Sequence, residues 1–380
     1  MAISINQQLV SVSKIIIIFG LLYLIISFYS QDYTPDAIGQ IEQISVRLKR
    51  SAPDKYIGLA FGSCNGLANQ MQRHASLLGI GKQINRTPFI DDRSACSRAV
   101  LPELVAAMPN FYKGILLLRP NQPKKAAVPF NVNICQFVNA SVLDGKYESE
   151  KYVKLRSYLL QSYKYFHYMK PEIREVFKFS VEQNDFVNRF AMELMGNSTS
   201  HKVCVHSRRG DFVHHPFLLA SKHSFTNPAL QFITNRLKKE HKNLGLILIG
   251  EDKKFDKDVK YDKNIFKEVY HPSGLSRTQD MLFSSKYCDT LLITASGSTF
   301  GWWIGYLMAE EKQKNIFYNF VATKNAKDCR DRYDFDTYPP EWTRLRLQNG
   351  TNGHVVVEKR WHKEIVQQEK AEVYRKWLKF

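Results

Sequence analysis

Short apolar runs and helical periodicities succeed one another along most of this chain. The runs at 56–61 (YIGLAF), 203–205 (VCV), 244–249 (LGLILI) and 290–296 (TLLITAS) have the length and character of buried strands. Pro88–Asp92 reads as a further short strand ending in acids, and Ile134–Val138 as another. Between them the spacing of apolar positions predicts a helix after Gly66, with Met71, Ala75, Leu77 and Leu78 on one face, and helices over 148–163, 182–195, 228–239 and 278–285. Strand, turn and helix in this repeated order predict an α/β fold with a parallel sheet. The polar break Gly196-Asn197-Ser198-Thr199 divides it into two lobes, 55–199 and 200–345. Residues 346–380 form a charged extension in which Ile365, Val366, Val373, Trp377 and Leu378 fit a helical pattern.

The amino terminus adds a membrane to this picture. Ile15–Tyr29 is uninterrupted and uncharged, at the short end of what spans a bilayer. It predicts a signal-anchor helix over 14–31, a cytosolic tail over 1–13 and a stem over 32–54, with Lys14 on the short side and Asp32 and Asp36 on the long side favouring a luminal body. A cleaved signal peptide and a buried core helix are the competing readings. Against cleavage, the preceding segment is almost uncharged, and Phe28 and Tyr29 stand where small residues are needed. The sequons at Asn139, Asn197 and Asn349 suit a lumen, whereas Asn85-Arg-Thr87 is followed by Pro88 and is a poorer acceptor. Six cysteines, at 64, 96, 135, 204, 288 and 329, are too widely spaced for zinc knuckles. One or two bridges are expected in a lumen, with Cys204, inside an apolar strand, the expected free buried thiol.

Lys plus Arg is 54 against 36 for Asp plus Glu, a net charge of +18, which calls for anionic partners. The cations are spread along the chain without a nucleic-acid recognition motif, so a nucleotide, an acidic glycan or a membrane surface fits and nucleic acid is not expected. Tyr163, Phe166, Tyr168 and Phe177 lie in an aromatic-rich segment that suits either a core or a sugar-stacking face, the core being the commoner use.

The densest candidate chemistry is VCVHSRRGDF at 203–212, where His206, Arg208, Arg209 and Asp211 follow an apolar strand. The carboxyl end of a strand is the usual ligand crevice of an open α/β sheet, and adjacent guanidinium forks suit a diphosphate or a carboxylate. A solvated strand end is the plainer alternative. His206 fits a general base, a hydrogen-bonding anchor or a structural side chain, and Asp211 fits a partner that fixes an arginine or the turn. Arg209-Gly210-Asp211 is also the adhesion tripeptide, but its attachment to a buried strand argues against a presented loop. Two further turns carry helix-start chemistry. Asn69 and Gln70 follow Gly66, whose spacing from Gly62 makes neither a phosphate-binding Walker loop nor a dinucleotide fingerprint, and Ser298 and Thr299 are natural caps for the helix that contains Trp302 and Trp303. Asp256-Lys-Asp258 and Asp334-Phe-Asp336 do not directly follow apolar strands and are expected to be surface acids, so no metal clamp is expected.

Taken together, Gly66–Met71, His206–Phe212 and Ser298–Leu307 resemble the three characteristic patches of the α1,2-fucosyltransferase family, in the family's order and approximate spacing. Gln279-Asp280 ahead of Cys288-Asp289 is similar to its intervening acidic segment, and the likeness covers roughly residues 56–320. The resemblance implies a single-pass type II Golgi membrane protein with two Rossmann-like lobes, GT-B-like, behind the transmembrane helix. It implies an inverting transfer of fucose from GDP-fucose, with no metal and no further cofactor, to a glycan acceptor, a terminal galactose in this family. By residue match Arg209 grips the donor diphosphate, with His206 and Arg208 in support and Asp211 beside them as candidate catalytic residues. Asp280, Ser298, Thr299 and Phe300 surround the nucleotide, and Asn69 approaches the phosphates from the first lobe. Cys64-Asn65 replaces the family's glycine pair, Ala68 its glycine before Asn69, and Gln72 its frequent phenylalanine. These departures bear on acceptor and linkage. They leave an α1,6- or protein O-fucosyltransferase, or a non-catalytic glycan-binding protein, as the alternatives.

Overall fold

The structure, a computed structural model, describes residues 55–60, 66–91, 95–118, 127–130, 135–157, 159–325, 329–348 and 353–368. The predicted anchor and stem and the Asn349 sequon lie outside them. Among the described residues no helix is long and apolar enough to cross a membrane.

The first lobe is built from β1 (Tyr56–Leu59), α1 (Leu67–Gln83), β2 (Thr87–Asp91), α2 (Ala95–Ala107), β3 (Leu116–Leu118), β4 (Ala127–Pro129) and β5 (Tyr152–Arg156). Its sheet is ordered β3-β2-β1-β5-β4, and every pairing is parallel. Parallel strands need both faces covered, which is why the central Tyr56-Ile57-Gly58-Leu59 is buried at every position. Gly79 in α1 has a packing reason: a Cβ there would stand 1.9 Å from the Tyr165 carbonyl oxygen, so only glycine lets the helix approach that turn.

Helices α3 (Lys170–Val176) and α4 (Val181–Met195) lead into the second lobe. This comprises β6 (His201–His206), α5 (His223–Leu237), β7 (Leu244–Ile249), β8 (Phe266–Tyr270), α6 (Arg277–Tyr287), β9 (Thr290–Ile293), α7 (Thr299–Leu307), β10 (Ile316–Asn319), β11 (Thr343–Leu347) and β12 (Val355–Val357). The sheet order is β12-β11-β10-β9-β6-β7-β8, antiparallel only between β11 and β12. From β6 the chain therefore winds outward through β7 and β8, then returns to start again at β9 on the other side. That is the doubly wound order, and its ligand crevice lies at the carboxyl ends of the two strands flanking the reversal, β6 and β9.

The helix starts follow local capping chemistry. The Ser180 hydroxyl accepts from the Gln183 amide at the head of α4, and Ser276 and Gln279 cap α6 reciprocally. Helix α7 joins the lobes. Trp303 stacks parallel to Phe166 at 6.1 Å and meets Phe177 at 4.9 Å, and the Arg174 guanidinium donates to the carbonyls of Tyr306, Leu307 and Met308 at 2.7–2.9 Å. A cation on those terminal carbonyls complements the helix dipole. Tyr163, Phe166 and Phe177 are accordingly core residues, and only Tyr168 is exposed.

Several expectations are corrected. Residues 152–156 form a strand between β1 and β4, not part of a helix, because Val153 and Leu155 alternate inward as the sheet requires. Cys135–Val138 is not a strand. Helix α4, assigned from sequence to the first lobe, packs on α6 of the second, with Phe190 against Phe283 at 5.6 Å. The expected C-terminal extension supplies β12, so it is part of the second sheet. Cys204 is not free: it is bonded to Cys288, with the Cα atoms 5.7 Å apart. The pair links β6 to the turn before β9, the two strands that flank the crevice.

Candidate active site

A cavity of about 830 Å³ opens over the carboxyl ends of β6 and β9 and is closed on the other side by the start of α1 and the segment after β5. Asn69, His206, Arg208, Asp211, Asp280, Ser298, Thr299 and Phe300 all line it. Eight of the nine donor-site and catalytic residues named from sequence thus share one wall system, drawn together from four separate turns.

The ninth, Arg209, is placed elsewhere. Its Nε donates to Asp252 Oδ2 at 2.8 Å, its Nη1 donates to the Ser221 carbonyl at 2.9 Å, and its guanidinium lies 4.9 Å from the Phe255 ring centroid. Arg208 turns into the cavity instead, where Nη2 meets Asp211 Oδ1 at 2.7 Å and Nη1 lies 3.4 Å from Glu251 Oε1. Arg208 therefore faces the cavity, whereas Arg209, expected to grip the diphosphate, braces the turn in this structure. The backbone supports this, since the Arg208 amide donates to Ser221 Oγ at 2.9 Å and its carbonyl accepts from the Ser221 amide at 3.0 Å.

His206 ends β6 and is buried at 3% exposure, stacked on Phe300. Burial, reinforced by the Arg208 charge, lowers its pKa to about 3. Burial beside a cation disfavours the protonated ring, which suits an anchor at the strand end better than a general base. Gly301 belongs to the same contact, because a Cβ there would stand 2.7 Å from His206 Nδ1.

Helix α7 starts at the cavity wall. Ser298 caps it, its hydroxyl accepting from the Gly301 amide at 3.4 Å, and the first amides of the helix have no intrahelical acceptor. Thr299 and Phe300 thus bring a helix N-terminus to the cavity beside Arg208. Asp280, in the first turn of α6, has its pKa raised to about 6 by burial, opposed by Lys253 and assisted by Asp256. Asp256 itself is buried and accepts from Ser207 Oγ at 2.9 Å, and Asp334 and Asp336 are buried as well. Of the four acids expected at the surface only Asp258 is exposed. Among the described residues no group of His, Cys, Asp or Glu converges as metal ligands.

Sequence reasoning passed over Gln161, Glu251, Arg277 and Arg330, which also line the cavity. Arg277 pairs across to Glu103 on α2, and Gln161 donates to Asn69 Oδ1 at 2.8 Å while accepting from Arg330 Nη2 at 2.7 Å. At the rim, Phe217 is 45% exposed and sits edge-on to His215.

Residues 64–346 match the model of the family described as glycosyl transferase family 11. Among curated relatives, svh-11 of Caenorhabditis elegans, provisionally named a galactoside 2-alpha-L-fucosyltransferase, is 29% identical over 81% of this chain and 84% of its own length. A second Caenorhabditis elegans protein, named galactoside 2-alpha-L-fucosyltransferase, is 26% identical over 77% of this chain and 79% of its own. Among solved structures, an Arabidopsis thaliana FUT1 mutant in complex with GDP is similar at 11% identity and a TM-score of 0.46, covering 82% of this chain and 75% of that one.

Proposed function

The chain belongs to glycosyl transferase family 11, and on that premise we propose that it moves fucose from GDP-fucose to the 2-hydroxyl of a terminal galactose, with inversion. The observation that carries the reading is the convergence of Arg208, the N-terminus of α7 and Asp280 on one cavity at the strand-order reversal. Arg208 and the free amides of α7 suit a diphosphate, and a carboxylate such as Asp280 suits the two adjacent N–H donors on the edge of guanine. On this reading the fold is GT-B-like, with the donor on the second lobe and the acceptor entering from the first, past the exposed ring of Phe217. The acceptor oxygen attacks C1 of fucose, and the C1–O bond to the β-phosphate breaks. The electron pair leaves with GDP, where Arg208 and the helix amides stabilise it, and the hydroxyl proton passes to an oxygen of the departing β-phosphate as the new bond forms. Acceptor-dependent GDP release from GDP-fucose tests this. Release is expected with a galactose-terminated acceptor, and equal release with one whose galactose 2-hydroxyl is blocked would contradict it.

Asp280 gives the donor site a pH dependence. Its carboxyl, raised to about 6 by burial, contributes stability that is fully present below the ordinary aspartate pKa and is lost as the pH rises from there through about 6. Guanine binding needs the carboxylate, so donor affinity changes with the opposite sign. The KM for GDP-fucose is expected to rise severalfold as the pH falls from about 7 to about 5. Asp280→Asn is expected to have a high, flat KM over this range, and a wild-type slope in the variant would contradict the assignment.

The uncharged run Ile15–Tyr29 supports a type II Golgi placement with the body in the lumen. Asn139 and Asn197 are exposed and available as glycan acceptors, with Asn349 the third sequon. Protein made through the secretory pathway is expected to lose mass on endoglycosidase treatment while staying with the membrane fraction. A body accessible to protease from the cytosolic side would contradict that topology.

A further inference from the structure

Arg330 lies on the one-turn helix Cys329–Arg332, beyond β10, at a place where the two lobes face each other across the cavity. It is only 9% exposed. Its hydrogen bonds go to neutral groups: Gln161 Oε1 at 2.7 Å and the Tyr338 hydroxyl. The charge of the neighbouring Asp331 supports the guanidinium, but its hydrogen bonds go elsewhere: it accepts from the amides of Ala322 and Thr323 at 2.8 and 3.1 Å and from Thr323 Oγ1 at 2.5 Å. Of the arginines lining the cavity, Arg208 is ion-paired with Asp211 and Glu251 and Arg277 with Glu103. Among the described residues no carboxylate lies within ion-pair distance of Arg330. Burial works against its charge, but a guanidinium does not discharge in a protein.

A buried cation with no carboxylate in contact is costly to the fold unless the native state has a use for it. We propose that Arg330 is a second donor-binding cation, whose contacting anion is the diphosphate of the nucleoside diphosphate sugar and, after transfer, of the departing GDP. Gln161 holds the guanidinium from the first lobe and is itself fixed by Asn69, 92 residues away at the start of α1. The first lobe thereby orients a cation of the second. Arg330 differs in this from Arg208, which is already in contact with the carboxylates of Asp211 and Glu251. The inference rests on the donor reading above, so its test separates the two.

The full-length protein, as wild type, Arg330→Gln and Arg330→Lys, is titrated with GDP, with guanosine and with inorganic pyrophosphate, and each variant is melted. Arg330→Gln is expected to weaken GDP and pyrophosphate roughly 10- to 100-fold, as loss of a charge-assisted hydrogen bond would, while guanosine changes less than about twofold. Its melting temperature is expected to equal or exceed that of wild type, and Arg330→Lys to recover part of the GDP affinity. An equal loss for guanosine and GDP, unchanged GDP binding, or a glutamine variant that melts lower or does not fold would each overturn the proposal. If wild type binds pyrophosphate through Arg330 but GDP no more tightly, the donor reading fails and the anion site stands. If it binds neither, both fail.

Discussion

Arg208→Ala is expected to slow fucose transfer by about 10²–10³-fold with little change in melting temperature. The reason lies in where the guanidinium stands. It faces the cavity, a third exposed, tethered to Asp211 at 2.7 Å and Glu251 at 3.4 Å and positioned to meet charge that develops on the leaving phosphate. Because that charge is greatest in the transition state, the loss is expected chiefly in kcat rather than KM. Arg208→Lys is expected to restore only part, since a point charge lacks the planar fork. Arg209→Ala is the contrasting case. Its bonds to Asp252 and the Ser221 carbonyl brace the turn, so its removal is expected to lower the melting temperature and to affect turnover less than Arg208→Ala does. Steady-state kinetics and thermal melting on both variants decide the matter. A near-normal turnover in Arg208→Ala together with a dead but normally stable Arg209→Ala would return the primary role to Arg209.

Loss of the Cys204–Cys288 bond is expected to have the largest effect on stability. The bridge closes a stretch of 84 residues, and removing a native bond of that reach typically costs about 2–5 kcal/mol. It also ties β6 to the turn before β9, so the strand ends that present His206 and the Ser298 turn lose a covalent constraint. The double variant Cys204→Ala with Cys288→Ala is expected to unfold at lower denaturant concentration with a steeper slope, because its unfolded chain is less compact without the cross-link. Wild type treated with a reductant strong enough to open the bond is expected to shift the same way. Coincident unfolding curves for wild type and the double variant would contradict a stabilising bridge.

The legible parts of this protein were those specified by local sequence. LGLILI forms β7 at residues 244–249 as its buried, β-branched run requires, and Ser298 caps α7 as its hydroxyl and the following turn suggested. Three of the turns that build the donor wall could be read because each follows or precedes a strongly periodic element. What escaped depends on partners distant in the chain. Asp334 is buried because His362 Nδ1 lies 2.9 Å from its Oδ2, and Arg330 meets Gln161 across 169 residues, contacts no window of sequence contains. The segment 148–163 misled for a different reason: the spacing of its apolar positions fitted a helix, while parallel pairing with β1 and β4 made Tyr152–Arg156 a strand.

The most direct test of the account is the structure of the product made by the full-length protein from GDP-fucose and a galactose-terminated glycan. NMR of the purified product is expected to show one new α-fucosyl residue on O2 of the terminal galactose. A fucose attached through another linkage or to a peptide hydroxyl would contradict the proposed acceptor, and glycan binding without any transfer, indifferent to GDP-fucose, would contradict the enzyme itself.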